Sequence, residues 1–220
     1  MQSLMSVLVA VVVTGLVLVG WGIDDVSGFA NEPSRPIGLL VAAVGSALAV
    51  PGIRFRVEMK SEAAGQEWLA VLNMAAFGVG LWLLPFLDAR SEVAPFLHVS
   101  GDAVRWVGLV LFTGGAALSV WAIHTLGRWF SPRIGVQHGH ELVSAGPYSA
   151  LRHPFYTGLL MSTVGLPGIF GSWLGVAMAI VALPFILYRV GVEENQLERE
   201  FGDVYRTMRN RTWRLIPYVY

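Results

Sequence analysis

The chain contains no cysteine. That absence excludes disulfides, thiolate metal sites, a cysteine nucleophile and S-palmitoylation. Charge is scarce as well: 14% of residues are charged, against about 25% in an average soluble domain. Formal net charge is zero, so no bulk attraction to a phosphate backbone exists and no nucleic-acid partner is expected. No GxGxxG or P-loop pattern occurs, which leaves a Rossmann-type nucleotide site without support. No internal repeat, low-complexity tract or block of like charge is present. The first apolar run, residues 3–23, has no cationic segment ahead of it. It is about twice as long as a signal-peptide core, so it reads as a retained span.

What is abundant is apolar surface, at 55% of the 220 residues. A membrane span needs roughly 20 such residues. Segments 3–23, 37–53, 66–87 and 103–126 qualify. Two more follow a polar loop: Phe155–Phe170, short and holding Pro167, and Ser172–Val190, holding Pro184. The uncharged turn between them predicts a tight hairpin whose first arm only just spans the bilayer. The expected fold is all-α: a polytopic integral membrane protein with about six transmembrane helices, a cytoplasmic polar loop and a C-terminal amphipathic helix. The expected division is residues 1–126 as N-terminal transmembrane helices and 127–220 as a second unit of loop, helical hairpin and C-terminal helix.

The basic residues support this topology. With the N-terminus in the cytoplasm, the inner segments hold Arg54, Arg56, Lys60, Arg128, Arg133, Arg152, Arg189, Arg199, Arg206, Arg209, Arg211 and Arg214. The outer loops hold Arg35, Arg90 and Arg105. Twelve against three, of 15 in all, is a strong positive-inside bias. From Gly191 the pattern changes. Leu197, Phe201, Val204, Tyr205 and Met208 follow helical spacing, with Glu198, Arg199, Asp203, Arg206 and Arg209 mostly opposite. This predicts an amphipathic helix leaving the membrane, and the aromatic segment Trp213–Tyr220 suits an anchor at headgroup level.

Ionisable residues beside spans suggest function, because burying charge in lipid is costly. Three groups stand out: the run Gln137, His138, Gly139, His140, Glu141, Leu142, Val143; then Gly146, Pro147 and Tyr148 followed by Arg152, His153, Pro154, Phe155 and Tyr156; then Arg189 with Glu193 and Glu194. Arg189 and Glu193 lie four apart and share a helix face. Read alone, they are equally well a snorkelling arginine and its interfacial acid. The histidines lack the spacing of a helical zinc motif, so no metal is expected, and His98 and His124 read as ordinary hydrogen-bonding side chains.

The ordered set HELV, GPY, RHPFY and EE-x-x-L-x-x-x-FG-x-x-Y (Glu193, Glu194, Leu197, Phe201, Gly202, Tyr205) resembles the isoprenylcysteine carboxyl methyltransferase family, and the wider phospholipid methyltransferase group is similar. The likeness covers roughly residues 120–218. It implies a site for S-adenosylmethionine. Gln137, His140, Glu141, Leu142, Val143, Tyr148, His153, Pro154, Phe155, Tyr156 and Glu193 fall on the family's cofactor-binding positions, and Arg189 on the position that meets a substrate carboxylate. It implies a multi-pass protein of a bacterial inner membrane or endoplasmic reticulum, working at the cytoplasmic side among membrane lipids on a lipophilic small molecule or lipid.

Methyl transfer is an in-line displacement, and alignment alone supplies on the order of 7–11 kcal/mol. Aromatic faces such as Tyr148 or Tyr156 can hold a cationic sulfonium. A carboxylate acceptor needs only an anchor such as Arg189, whereas a phospholipid amine or small thiol would need a base, for which Glu194 or a loop histidine is the candidate. A reductase resembling the sterol reductases, using NADPH, is the alternative, and a non-catalytic scaffold leaves the polar cluster unexplained. The topology is directly testable. A reporter fused at Lys60 should register the cytoplasm and one at Glu92 the outer side; a Lys60 fusion reporting the outer side would invert the assignment.

Overall fold

In a computed structural model, the described residues are 25–49, 101–131 and 137–219, with isolated positions at 11, 14, 15, 21 and 51. The span expected at 66–87 and His98 lie outside them, as does the span expected at 3–23 apart from those isolated positions. The described chain forms α1 (Val26–Ala30), α2 (Ser34–Ala49), α3 (Asp102–Leu126), α4 (Pro154–Phe170), α5 (Trp173–Phe201) and α6 (Asp203–Arg209). Short 3-10 turns follow α3 at Gly127–Trp129 and occupy the polar loop at Gly146–Ser149. Among the described residues there is no strand; an isolated parallel bridge joins Leu151 to Trp213.

Two described helices are long and apolar enough to cross a membrane, Asp102–Trp129 and Trp173–Phe201. Only 33% and 22% of their most apolar windows are buried in the fold. Side chains such as Val107, Val110, Ile180 and Phe185 face outward, as lipid-facing surfaces do and the core helices of soluble proteins do not. Helix α4 has 17 residues, roughly 26 Å at 1.5 Å each, slightly less than the hydrocarbon thickness of about 30 Å. Pro167 stays inside its last turn. Gly171 closes the hairpin at φ +65°, and the Ser172 hydroxyl accepts from the Gly175 N–H at 3.0 Å to start α5. A left-handed residue at this position favours glycine.

Two boundaries differ from expectation. Helix α2 starts at Ser34 rather than 37, because Pro36 is accommodated in the first turn, where its missing N–H leaves no bond unmade. The last span does not give way to a separate tail helix at Gly191. Helix α5 runs unbroken to Phe201 and stops at Gly202 (φ +54°, ψ −124°), after which the seven-residue α6 begins. The change at Gly191 is one of composition and not of backbone.

The α3–α4 contact is the closest in the fold. Gly108 and Gly115 on α3 face Gly158, Gly165 and Gly168 on α4. A Cβ at Gly115 would lie 2.5 Å from the Gly158 carbonyl oxygen, and one at Gly108 would lie 2.6 Å from the Ile169 nitrogen. Small residues let helices in lipid approach at backbone distance. Helix α2 joins α3 through His124, whose Nε2–H donates to the Leu48 carbonyl at 2.8 Å. At the end remote from the polar loop, Trp21, Phe29 and Phe170 cluster, with the Arg35 guanidinium 4.6 Å from the Trp21 ring centre and Arg105 paired to Glu32 at 2.7 Å.

Replacing Gly115 by leucine should separate α3 from α4. Overpacking of this kind costs about 1–3 kcal/mol or more. The detergent-solubilised variant should show a clearly lowered thermal midpoint or no monodisperse peak. Gly45→Ala, whose new methyl meets Ala116 at an ordinary 3.7 Å, should behave as wild type. Equal midpoints for Gly115→Leu and wild type would refute the close packing.

Candidate active site

The polar loop is built from both ends. At its start, Gln137 is buried and its Nε2–H donates to the Trp129 carbonyl at 2.9 Å, while the His140 N–H donates to the Gln137 carbonyl at 3.2 Å. This folds the loop back over the end of α3. The His140 ring then stacks on Trp129, with centroids 4.9 Å apart and planes within 6°, and meets the edge of Phe201 at 5.6 Å. Exposed Glu141 and half-buried Leu142 and Val143 follow without regular secondary structure. Gly146, at φ +55°, turns the chain against Trp121 and Thr125 of α3. Pro147 and Tyr148 are buried in the following 3-10 turn.

At its other end the loop becomes α4. Pro154 occupies the first helical position, where a proline fits best. The backbone of 150–153 is zipped to the C-terminal segment. The Trp213 N–H donates to the Ala150 carbonyl (2.9 Å), the Arg152 N–H to the Trp213 carbonyl (2.7 Å), and the His153 N–H to the Arg214 carbonyl (3.2 Å). One turn on, the Thr157 hydroxyl donates to the Leu215 carbonyl at 2.7 Å, and Leu215 is buried. The segment expected only as a lipid anchor is therefore a tether for the loop, although Trp213 and Tyr218 remain exposed.

The two acids of α5 separate in function. Tyr156 donates its hydroxyl proton to Glu193 Oε2 at 3.0 Å and accepts from Arg189 Nε at 2.8 Å. Arg189 is buried, whereas the Glu193 side chain is 34% exposed and open to a ligand. Burial, and after it the neighbouring Glu193 and Tyr156, push the Tyr148 phenol far above its ordinary range, so it stays protonated. Phe155 sets its ring edge against Phe130 at 5.1 Å and Tyr156 at 5.5 Å. Two phenols, a carboxylate, a histidine and a guanidinium thus meet where α4 and α5 leave the apolar layer.

Glu194 points to other partners. Its Oε1 accepts from Arg152 Nε at 2.9 Å and meets His153 Nε2 at 3.3 Å, and its Oε2 is ion-paired with Arg214, whose Nε lies 2.9 Å away. A general base needs a lone pair within reach of the proton it removes. Both oxygens of Glu194 are engaged, so its geometry is that of a structural tie rather than of the base foreseen for an amine or thiol acceptor. Sequence reasoning gave no role in the site to four contributors. Arg152 and Phe201 stand inside quoted motifs, and Trp129 precedes them. Arg214 carries no local signal, because its contacts reach back 20 residues to Glu194 and some 60 to the loop.

A family model described as phospholipid methyltransferase matches residues 103–204. The chain is 33% identical over 144 residues to protein-S-isoprenylcysteine O-methyltransferase B of Arabidopsis thaliana, with 62% of this chain and 73% of that one covered. It is 32% identical over 119 residues to a probable protein-S-isoprenylcysteine O-methyltransferase of Oryza sativa subsp. indica, with 53% and 62% covered. The solved structure of the eukaryotic intramembrane Ras methyltransferase, an isoprenylcysteine carboxyl methyltransferase, shares the fold at a TM-score of 0.56 and 22% identity, over 94% of this chain and 74% of that one. These likenesses define a membrane methyltransferase. The chain belongs to the isoprenylcysteine carboxyl methyltransferase family.

The His140 ring gives the site a pH signature. Burial holds its pKa below the ordinary value, against the opposing pull of Glu193 and Glu200. Below about pH 6.5 the unfolded chain therefore binds a proton that the folded chain refuses, and stability falls with acidification. The contribution is complete above pH 6.5 and is lost as pH falls through the lowered value. Thermal midpoints measured from pH 7.5 to 5.5 should decline, and His140→Phe, which keeps a ring on Trp129, should decline less steeply. Equal slopes would remove His140 from this account.

Proposed function

We propose that this enzyme transfers a methyl group from S-adenosylmethionine to the carboxylate of a lipophilic, isoprenylcysteine-like acceptor, at the cytoplasmic surface of a membrane crossed six times. The observation that carries the reading is the Tyr156 hydroxyl shared between Arg189 and Glu193. It joins a carboxylate suited to a cationic, amine-bearing donor to a guanidinium suited to an anionic acceptor.

The residues present fit the donor. Among the described residues, buried His140 Nδ1 has no hydrogen-bond partner, and a ligand could satisfy an atom of that kind. Aromatic faces at Tyr148, Phe155 and Tyr156 suit a sulfonium. Glu193 would accept from amino or hydroxyl groups, with His140, Glu141, Leu142 and Val143 along the loop and His153 and Pro154 at its end. S-adenosylmethionine supplies an electrophilic methyl group. Arg189 would orient the acceptor carboxylate, its planar fork matching two oxygens. Tyr156 fixes Arg189 and Glu193 relative to each other, so donor and acceptor sites move as one. A carboxylate nucleophile needs no base, in keeping with the engaged oxygens of Glu194.

Calorimetric titration of detergent-purified protein tests the donor. S-adenosylmethionine and its demethylated product should bind and NADPH should not; NADPH binding alone would favour the reductase reading. Glu193→Gln should weaken donor binding by roughly 10- to 100-fold, the loss expected for a charged hydrogen bond of about 1.5–3 kcal/mol. Arg189→Ala should raise the acceptor KM or lower kcat with donor affinity little changed, and Arg189→Lys should recover part. Near-normal turnover in both arginine variants would leave Arg189 as a snorkelling side chain.

A further inference from the structure

The structure assigns Arg214 as a positioning residue for methyl transfer, acting through Glu194 on the His153–Tyr156 end of the cofactor loop. The assignment rests on the proposed function and names a residue that it does not use. Three lines of geometry converge. Arg214 Nε lies 2.9 Å from Glu194 Oε2, and the opposite oxygen of that carboxylate holds Arg152 at 2.9 Å and His153 at 3.3 Å. All four side chains are largely withdrawn from solvent, at 19% for Arg214, 14% for Glu194, 11% for Arg152 and 3% for His153, so the charges attract with less screening than on an open surface. The backbone of the same residues is bonded in parallel, His153 N–H to the Arg214 carbonyl and Arg152 N–H to the Trp213 carbonyl. Arg152 then closes the ring by donating from its guanidinium to the Arg209 carbonyl at 3.0 Å and to the Thr212 carbonyl.

The mechanical consequence runs toward the site. His153 lies between the two acids, with Nε2 on Glu194 and Nδ1 4.0 Å from Glu193 Oε1. A carboxylate accepts only, so Nε2 carries the proton and the ring is fixed in one orientation. His153 is also the residue before α4, three positions before Tyr156. Arg214 therefore clamps Glu194, Glu194 orients His153, and His153 sets the start of the helix that presents Tyr156 to Arg189 and Glu193. With Arg214 shortened, the backbone zipper remains, but Glu194 Oε2 loses the Arg214 partner and the acid can rotate away from His153. Displacements of about 1 Å at a reacting centre can lower turnover on the order of 100-fold.

The test uses the full-length protein in detergent, with S-adenosylmethionine as ligand and an S-farnesylcysteine carboxylate as acceptor. Arg214→Gln should raise the dissociation constant for S-adenosylmethionine and lower kcat, each by about 10-fold. Arg214→Lys should fall between, since an ammonium restores the charge but carries it on a differently shaped side chain. Glu194→Gln should match Arg214→Gln, and the double variant should be no worse than either single one, the signature of residues acting as one unit. Amide hydrogen exchange without ligand gives a second readout: peptides covering 150–157 should exchange faster in Arg214→Gln, while those of α3 do not. A folded Arg214→Gln with wild-type affinity and exchange overturns the assignment. So does additivity in the double variant, the result for two independent structural contacts. Should Arg214→Gln not fold, Arg214→Lys decides: a loss of about 3-fold sustains the clamp and wild-type affinity removes it. Failure of the wild-type protein to bind S-adenosylmethionine would sink the proposed function instead, and the exchange measurement would still report on the clamp.

Discussion

One phenolic oxygen holds the site together. Arg189 and Glu193 stand one helical turn apart where α5 emerges from its apolar stretch, the guanidinium buried and the carboxylate half-exposed. The Tyr156 hydroxyl answers both, accepting from one and donating to the other. It can do so only because α4 is held in place, and α4 is held by the glycine contact with α3. A bulkier residue in that contact would move the phenol before it touched any charged group.

The second requirement is that an irregular loop at a membrane surface satisfies its own backbone. The chain meets this from opposite directions. Gln137 binds the front of the loop to the end of α3, and the C-terminal segment binds its rear through the 150–153 zipper. The middle, from His140 to Val143, is left to side-chain stacking and to whatever the site holds.

Much of this was legible in advance, for identifiable reasons. The α3 span was readable to within a residue, because 25 residues without an internal proline leave hydropathy unopposed. The site motifs were readable because their spacing was distinctive. The extent of α5 was not. At Gly191 the sequence passes from apolar to amphipathic, and composition alone cannot tell a helix that changes its surroundings from one that ends. Helical spacing put Arg189 and Glu193 on one face, but it carried no trace of a phenol from 33 residues away joining both. The ties of Arg214 and Trp129 were equally hidden, since contacts across long stretches of chain leave no local period.

The neighbouring acids Glu193 and Glu194 have a consequence for how this helix can change over time. Successive residues of an α-helix differ in direction by about 100°. That angle alone sends one carboxylate to Tyr156 and the other to Arg152, His153 and Arg214. Side chains along α5 can be exchanged while the angle is kept. A single residue gained or lost between Arg189 and Glu193 would turn everything beyond it about the axis, carry Glu193 off the face of Arg189, and point Glu194 away from the loop. The stretch is open to drift in letters but closed to drift in length.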